Sequence, residues 1–160
     1  MKKVAKTNAM RILDQQKVPY DIFSYDTVDK KIDGVSVAEK IGKPSEEVYK
    51  TLVCQSPDKE LYVFLLPVHL ELDLKKAAQL VGEKKLELLP VSELQKWTGY
   101  VRGGCSPIGM KKNYPTWIDK HAEHLSHIIV SAGKIGLQLS LSVSDLLQIT
   151  KAQLGDIVKD

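Results

Sequence analysis

The chain of 160 residues has only two cysteines and no apolar run long enough to span a membrane. Cys54 and Cys105 form neither a Cys-x-x-Cys motif nor a disulfide framework, which indicates a reducing compartment. The apolar stretch at 61–68 is far shorter than the ~18–20 residues that a membrane span requires. The N-terminal residues turn polar before a signal-peptide core could form. These absences predict a cytoplasmic protein with no membrane as a partner.

The chain also lacks a strong excess of charge of either sign. Its 23 basic and 20 acidic residues leave a net charge of +3. Such a balance permits a polyanionic partner without requiring one. Lysines occur in pairs that are each typical of a solvated surface: Lys2–Lys3, Lys30–Lys31, Lys75–Lys76, Lys84–Lys85 and Lys111–Lys112. They would form a phosphate-binding face only if the fold brought several pairs together.

Three segments have the start signals of helices. Thr7 and Asp73 each precede a segment with the apolar period of a helix, and each can serve as its N-cap. Ser36 and Glu39 have the spacing of a capping box, which predicts that a helix begins at Ser36 and ends at Gly42.

The strands are predicted to form two hairpins. The segments 50–56 and 60–68 are joined by turn residues, and the second of them is apolar enough to be buried on both faces. The segments 127–133 and 137–142 form the other hairpin, and 142–158 is predicted to be one or two helical pieces. No repeat or linker interrupts the chain, so we expect residues 1–160 to form one domain. Tight turns between strands favour an α+β fold with a mixed sheet over a doubly wound sheet.

Four of the ten glycines lie in the segment "GYVRGGCSPIGMKK" at 99–112, which we call the glycine loop. The loop matches neither the P-loop nor the dinucleotide-binding spacing, so it is not a nucleotide motif. Consecutive glycine N–H groups can converge on one oxygen, which makes a cradle for an anion or a carbonyl possible. A purely structural turn explains the same residues equally well.

Other candidate residues each have a functional and a structural explanation. Lys50 begins an apolar strand, where its cation either extends to water or points into a cleft toward a phosphate or an oxyanion. Cys105 could act as a nucleophile only with a base such as histidine within reach. On a helix, the spacing His121-x-x-His124-x-x-His127 would spread three imidazole rings over ~120°. No carboxylate stands at a spacing typical of a further metal ligand. We therefore expect neither a metal nor a cofactor.

Four fragments in order resemble one protein family. They are "VYKTLV" at 48–53, the glycine loop, "PTWID" at 115–119 and "VSAGKIGLQL" at 130–139. Together they resemble the YbaK/EbsC family, an editing-domain superfamily related to the insertion domain of bacterial prolyl-tRNA synthetase, from about Thr7 to the C-terminus. Within this family the chain most resembles the free-standing branch that deacylates Cys-tRNA(Pro). The resemblance implies a mixed, barrel-like β-sheet surrounded by helices, mischarged tRNA(Pro) as the substrate, and prolyl-tRNA synthetase as a further partner to test.

The resemblance also implies roles for individual residues. The catalytic set that it carries over is Lys50, Gly103, Ser106 and Pro107, and the substrate-binding set is Tyr25, Gly104, Lys111, Lys112 and Gln138. Two positions depart from the family pattern. Cys105 stands where relatives often carry an aliphatic residue, and Gln138 stands where close relatives carry an aspartate.

The implied chemistry uses no nucleophile from the protein. The thiol of the bound cysteine attacks its own ester carbonyl, which gives a cyclic thiolactone and free tRNA. Orientation alone can supply up to ~7–11 kcal/mol for such an intramolecular attack. The alternatives are an Ala-tRNA(Pro) deacylase that activates water and an EbsC-like tRNA-binding or regulatory module without turnover.

Overall fold

The computed structural model describes residues 5–160, so the lysine pair Lys2–Lys3 lies outside the described part. The elements in chain order are α1 (Asn8–Gln15), β1 (Asp21–Ser24), α2 (Gly34–Ile41), β2 (Tyr49–Gln55), β3 (Leu61–Pro67), α3 (Leu74–Val81), β4 (Glu87–Leu88), α4 (Val91–Thr98), β5 (Thr116–Asp119), a 3-10 helix (Lys120–His124), β6 (His127–Lys134), β7 (Leu137–Ser142), α5 (Val143–Thr150) and β8 (Gln153–Gly155). Interleaved helices and strands confirm the α+β prediction.

The strands form two sheets. A three-stranded antiparallel sheet has the order β1-β7-β6, and a five-stranded sheet has the order β4-β2-β3-β5-β8. The larger sheet is mixed, because β2 pairs antiparallel with β3 and β4 whereas β5 pairs parallel with β3 and β8. A single parallel bridge between Val48 and Ile129 links the two sheets. The predicted mixed sheet is confirmed, but within residues 5–160 it is an open pair of sheets and not a closed barrel.

The helix starts confirm two of the three predicted caps. The Met10 N–H donates to Thr7 Oγ1 (3.2 Å), and the Lys75 and Lys76 N–H groups donate to the Asp73 carboxylate. The predicted capping box at Ser36 is wrong, since α2 begins two residues earlier. There the Asp33 carboxylate accepts from the Ser36 N–H, so a stronger cap lies just upstream of the predicted one.

The main hydrophobic core lies between the two sheets and is covered by α1 and α5. Both predicted hairpins are confirmed, and β3 is buried along nearly its whole length on both faces. The prediction for 142–158 is half wrong, because α5 ends at Thr150, Lys151 takes a left-handed conformation, and the chain then forms β8. Pairing of β8 with β5, in the register Trp117 to Gln153, outweighs the helical apolar period of this segment.

No helix within residues 5–160 has both the length and the apolar character that a membrane crossing requires.

Candidate functional site

A cavity of about 1000 Å³ opens beside β2, and we call it the main cavity. Its walls come from β2, the start of α2, the segment from β4 into α4, and the glycine loop, and its floor includes Ser131 of β6 and Gln138 of β7. Valine, leucine and isoleucine account for 11 of the 23 lining residues. A volume of this size accommodates an amino acid together with a nucleoside.

The main cavity exists because β4 is very short. In the larger sheet β4 pairs with β2 only at Cys54 and Gln55. Pro90 follows β4, and α4 begins at the next residue. Since proline has no N–H to donate to a ladder, the chain leaves β2 at this point. The part of β2 around Thr51 is therefore left without a neighbouring strand on the cavity side.

Lys50 lines the main cavity and is half-buried there. Burial lowers the pKa of Lys50, and the negative charge of Glu71 opposes that shift. No carboxylate of the described residues lies within salt-bridge distance of the Lys50 ammonium, whereas Glu71 itself pairs with Lys159 (3.0 Å). Lys50 therefore offers the cavity a cation that is not neutralised by a bound carboxylate.

Two further cations lie at the mouth of the main cavity. Lys30 and Arg102 both line it and both are exposed. The carboxylate among the lining residues belongs to Asp33, whose oxygens accept from the Ser36 N–H and the Ser36 hydroxyl (2.7 Å) at the start of α2. The mouth is thus positive, which favours an anionic ligand such as a nucleic-acid phosphate.

The glycine loop is folded into the protein, with residues 104–108 all buried. Gly103 has a φ of +86°, and a Cβ there would lie 2.9 Å from Ile32 Cδ1. A Cβ on Gly104 would lie 2.8 Å from the Ile135 backbone nitrogen. The loop also carries internal hydrogen bonds, since the Tyr100 hydroxyl donates to the Ile108 carbonyl (2.6 Å). Its glycines therefore serve close packing as well as one side of the main cavity.

Buried polar atoms without a partner are concentrated at the main cavity. Of five such side-chain atoms in the described residues, three belong to residues that line it: Tyr49 Oη, Thr51 Oγ1 and Gln138 Oε1. A buried polar group without a hydrogen bond costs free energy, and such groups are normally satisfied by water or by a ligand. Thr51 Oγ1 and Gln138 Oε1 are therefore the atoms of the lining where a ligand is expected to donate or accept hydrogen bonds, whereas the Tyr49 side chain packs in the main core.

Three of the nine predicted site residues line the main cavity, namely Lys50, Gly103 and Gln138. The other six lie elsewhere. Ser106 is fully buried and its Oγ accepts from the Ile108 N–H (3.2 Å), while Gly104 packs against the turn between β6 and β7. Pro107 and Lys112 line a second cavity of about 300 Å³.

The remaining two residues of the predicted substrate-binding set also lie outside the lining of the main cavity. The Lys111 ammonium donates to the Lys96 carbonyl (3.0 Å) at the end of α4. Tyr25 is buried with an unpartnered hydroxyl, and its N–H donates to the Gly136 carbonyl (3.0 Å). Their roles in binding therefore stay predictions.

Sequence reasoning did not identify Thr51 or Arg102, although both line the main cavity. Arg102 could have been found as the arginine next to the Gly-Gly pair of the glycine loop. The signal for Thr51 is Pro90, because a proline opposite the middle of a strand leaves that strand's edge unpaired. Neither signal is strong without the register of β2 against β4.

The alternatives for Cys105 and the histidines can be compared with the geometry. Burial raises the pKa of the Cys105 thiol to about 12, so almost no thiolate forms near neutral pH. No histidine lines the main cavity, and His121 instead contacts the buried carboxylate of Asp119 through Nδ1. In the described part of the chain, no three His, Cys, Asp or Glu side chains lie together in a way that could hold a metal ion.

Comparisons with known proteins agree with this fold. The family model of the aminoacyl-tRNA editing domain matches residues 32–149. Over 152 residues the chain is 44% identical to EbsC of Enterococcus faecalis, named as a candidate Cys-tRNA(Pro)/Cys-tRNA(Cys) deacylase, and the match covers 95% of this chain and 93% of that protein.

Two solved structures have the same fold. One is described as a candidate trans-editing enzyme for prolyl-tRNA synthetase, with a TM-score of 0.82 at 22% identity over 98% of this chain and 100% of that one. The other is described as a hypothetical protein, with a TM-score of 0.86 at 18% identity over 96% of this chain and 100% of that one. At these identities the two structures show the fold alone. Because the domain match spans most of its length and a 44% identical relative spans nearly all of it, the chain belongs to the aminoacyl-tRNA editing domain family.

Proposed function

We propose that this chain is a trans-editing deacylase that clears cysteine from mischarged Cys-tRNA(Pro), with residues 1–160 acting as one editing domain. The observation that carries the proposal is the main cavity, which combines the unpaired cation of Lys50 with the lack of a free base among its lining residues. The Asp33 carboxylate there is engaged in capping α2, and the Cys105 thiol has a raised pKa. Such a lining suits a reaction in which the substrate brings its own nucleophile.

In the proposed reaction the thiol of the bound cysteine loses its proton and its sulfur attacks the ester carbonyl carbon. The new C–S bond forms as the ester C–O bond breaks, and the terminal ribose oxygen leaves with a proton. The products are a cyclic thiolactone and tRNA with a free 3′ end. Attack within one molecule gains up to ~7–11 kcal/mol from orientation, so the protein has to hold one conformation of the substrate and stabilise the oxyanion.

The proposed residue roles follow from position. Lys50 and the Gly103 backbone face the ester, where a cation and an N–H group stabilise the developing oxyanion. Gln138 contacts the amino acid on the floor of the main cavity. Gly104, Ser106 and Pro107 hold the glycine loop in shape, which is an indirect contribution to catalysis.

The partner of this site is an aminoacyl-tRNA. We propose that Lys30 and Arg102, together with the predicted pair Lys111–Lys112, contact phosphates of the acceptor end, and that Tyr25 supports the floor from behind. Prolyl-tRNA synthetase is proposed as a second partner that would supply the tRNA identity, since a cavity of this size contacts only the end of the acceptor arm. Loss of selectivity for Cys-tRNA(Pro) over other tRNAs that carry cysteine, when the synthetase is left out of the assay, would support this role.

The proposal is tested by deacylation of tRNA(Pro) carrying cysteine, serine, alanine or proline, with the small product identified at the earliest times. We expect fast clearance of cysteine, poor clearance of serine, and the thiolactone as the first product, because a hydroxyl is a far weaker nucleophile than a thiol with a pKa of ~8.5. Comparable rates on serine and cysteine, with free cysteine as the only early product, would contradict the substrate-assisted reaction. Clearance of alanine alone would assign the water-activating alternative, and binding without turnover would assign the regulatory module.

A further inference from the structure

The main cavity contains hydrogen-bond acceptors that the described chain leaves unused, and the direction of the β2 backbone groups identifies them. The Val68 N–H donates to the Val48 carbonyl (2.9 Å) across the β2–β3 ladder. In an antiparallel pair, alternate residues exchange hydrogen bonds with the partner strand while those between them point to the opposite edge. The even-numbered residues of β2 therefore bond to β3, and the odd-numbered ones point toward the main cavity.

Backbone carbonyls on both sides of Thr51 already have partners on this edge. The Leu89 N–H donates to the Val53 carbonyl (2.8 Å), and the Ile129 N–H donates to the Glu47 carbonyl (2.9 Å). Between these two contacts, neither β4 nor β6 reaches Thr51. In the described chain Thr51 pairs only with Leu65 of β3, at a position where the two residues exchange no hydrogen bonds, so its N–H and carbonyl point to the other edge, at the main cavity, without a backbone partner.

The register shows why this position stays open. Cys54 pairs with Leu88, so continuation of β4 would place residue 91 opposite Thr51. Pro90 ends the ladder just before that point, and Val91 is already the first residue of α4. The unpaired edge is therefore built into the sequence at Pro90.

A second acceptor lies on the floor. Gln138 is 6% exposed, lines the main cavity, and has an unpartnered Oε1. The hydroxyl of Thr51 is also buried and unpartnered. Acceptors therefore line the main cavity from β2 and from β7, while the carboxylate of the lining, Asp33, is engaged by Ser36. This set matches a ligand group bearing at least two N–H donors.

We infer, resting on the proposed function, that this acceptor set selects aminoacyl esters whose α-amino group is free. The substrate pairs with Thr51 as one residue of an added antiparallel strand. Its amino group donates to the Thr51 carbonyl, and its carbonyl oxygen accepts from the Thr51 N–H. A second amino N–H donates to Gln138 Oε1. An amino group carries at least two N–H donors in its neutral and its charged form, so no carboxylate is needed.

An Nα-acylated ester cannot satisfy both acceptors. Its amide nitrogen keeps a single N–H, so either Thr51 or Gln138 stays buried without a partner, and the acyl group needs additional space. The site would therefore reject peptidyl-tRNA and N-acylated aminoacyl-tRNA while it accepts the free aminoacyl ester. Such a filter would spare nascent chains from an enzyme that acts on esters.

The test compares Cys-tRNA(Pro) with N-acetyl-Cys-tRNA(Pro) for the wild-type protein and for Gln138→Met. Each rate is divided by the spontaneous hydrolysis rate of the same ester, because acetylation also changes intrinsic reactivity. We expect the wild-type protein to prefer the free amine by roughly tenfold to hundredfold, the value of one hydrogen bond to such a group. Gln138→Met should remove most of this preference by slowing only the free-amine substrate, and Gln138→Glu, which keeps an acceptor, should preserve it.

The control variant is Ser131→Ala, which removes another polar group from the floor. Ser131 is the cross-strand partner of Gln138, and its Oγ accepts from the Gly133 N–H (3.2 Å), so it should change both rates alike. Equal wild-type rates on the two esters, or an equal loss on both in Gln138→Met, would overturn the inference and leave the deacylase proposal intact. No turnover of either ester would overturn the proposed function together with this inference. The wild-type comparison decides the question even if Gln138→Met does not fold.

Discussion

Substitution of the two adjacent glycines of the glycine loop tests how this loop is held, and the two changes should differ in kind. In Gly104→Ala the backbone conformation is allowed for alanine, but the new Cβ would lie 2.8 Å from the Ile135 nitrogen and 3.0 Å from the Lys134 carbonyl carbon. Both are backbone atoms, one at the end of β6 and one in the turn that follows, and they cannot rotate away as a side chain can. Overpacking of this kind typically costs about 1–3 kcal/mol, and we expect a value at the upper end.

In Gly103→Ala the cost arises mainly from conformation. Its φ of +86° lies in the left-handed region, which costs a residue with a Cβ about 1–2 kcal/mol. The nearest atom to the new Cβ is Ile32 Cδ1 at 2.9 Å, the flexible tip of a side chain that can move. Addition of Ile32→Val removes that tip, so it should relieve only the contact and leave the conformational cost.

The assay is thermal and urea unfolding of the two single variants and of Gly103→Ala/Ile32→Val. For a chain of this size each kcal/mol shifts the unfolding temperature by about 2–4 °C. Gly104→Ala should therefore show the larger shift, and the double variant should recover only part of the loss in Gly103→Ala. Wild-type stability of Gly104→Ala, or complete rescue of Gly103→Ala by Ile32→Val, would refute the close packing and the left-handed conformation respectively.

Three further predictions concern single side chains around the main cavity. Lys50→Met should lower the deacylation rate by about 10²–10³, the usual effect of removing an oxyanion contact. It should not lower the unfolding temperature, because burial disfavours the charge that the variant removes. Since the pKa of Lys50 is lower in the folded state, the wild-type free energy of unfolding should rise with pH between that pKa and the unfolded value of 10.5. The Lys50→Met variant should lack this rise, and identical pH profiles of the two proteins would contradict the burial of the Lys50 charge. Cys105→Ala should keep most of the activity, and native Cys105 should resist iodoacetamide at pH 8 because its pKa is about 12; an inactive but folded variant would return the thiol to the mechanism. Tyr49→Phe should keep or raise the free energy of unfolding in urea by about 1 kcal/mol, because it removes a buried hydroxyl that has no partner, and a clear loss of stability would show that the hydroxyl has one.

Local signals in the sequence were sufficient where the structure depends on local contacts. The caps at Thr7 and Asp73 and the two hairpins involve neighbouring segments, and each was predicted correctly. The errors concern long-range pairing. The strand β8 has a helical apolar period and becomes a strand because β5, more than 30 residues away, offers it an edge (residues 116–119 against 153–155). Propensity carries no information about such an edge.

The predicted site residues also divide into those with a physical reason in the sequence and those without one. Lys50 was identified because a cation in an apolar strand is costly unless a cleft receives it, and it does line the main cavity. Ser106 and Pro107 belong to the glycine loop in sequence, yet the loop folds inward and removes them from the cavity lining. Their inclusion in the predicted site followed from resemblance and not from a physical property of either side chain.

The main cavity itself depends on two features that are individually unremarkable in the sequence. Pro90 ends a ladder that pairs only two residues of β4, and the bridge at Val48 turns the other end of β2 toward the smaller sheet. Between these two points the edge of β2 is unpaired, although Tyr49 and Leu65 on the same face of the ladder are packed in the core. The open edge is thus supported by β3 on one side and faces the main cavity on the other. A site that needs little reactive apparatus of its own must hold its substrate still, and a strand edge anchored in this way provides both fixed hydrogen-bonding groups and the stiffness to keep them in place.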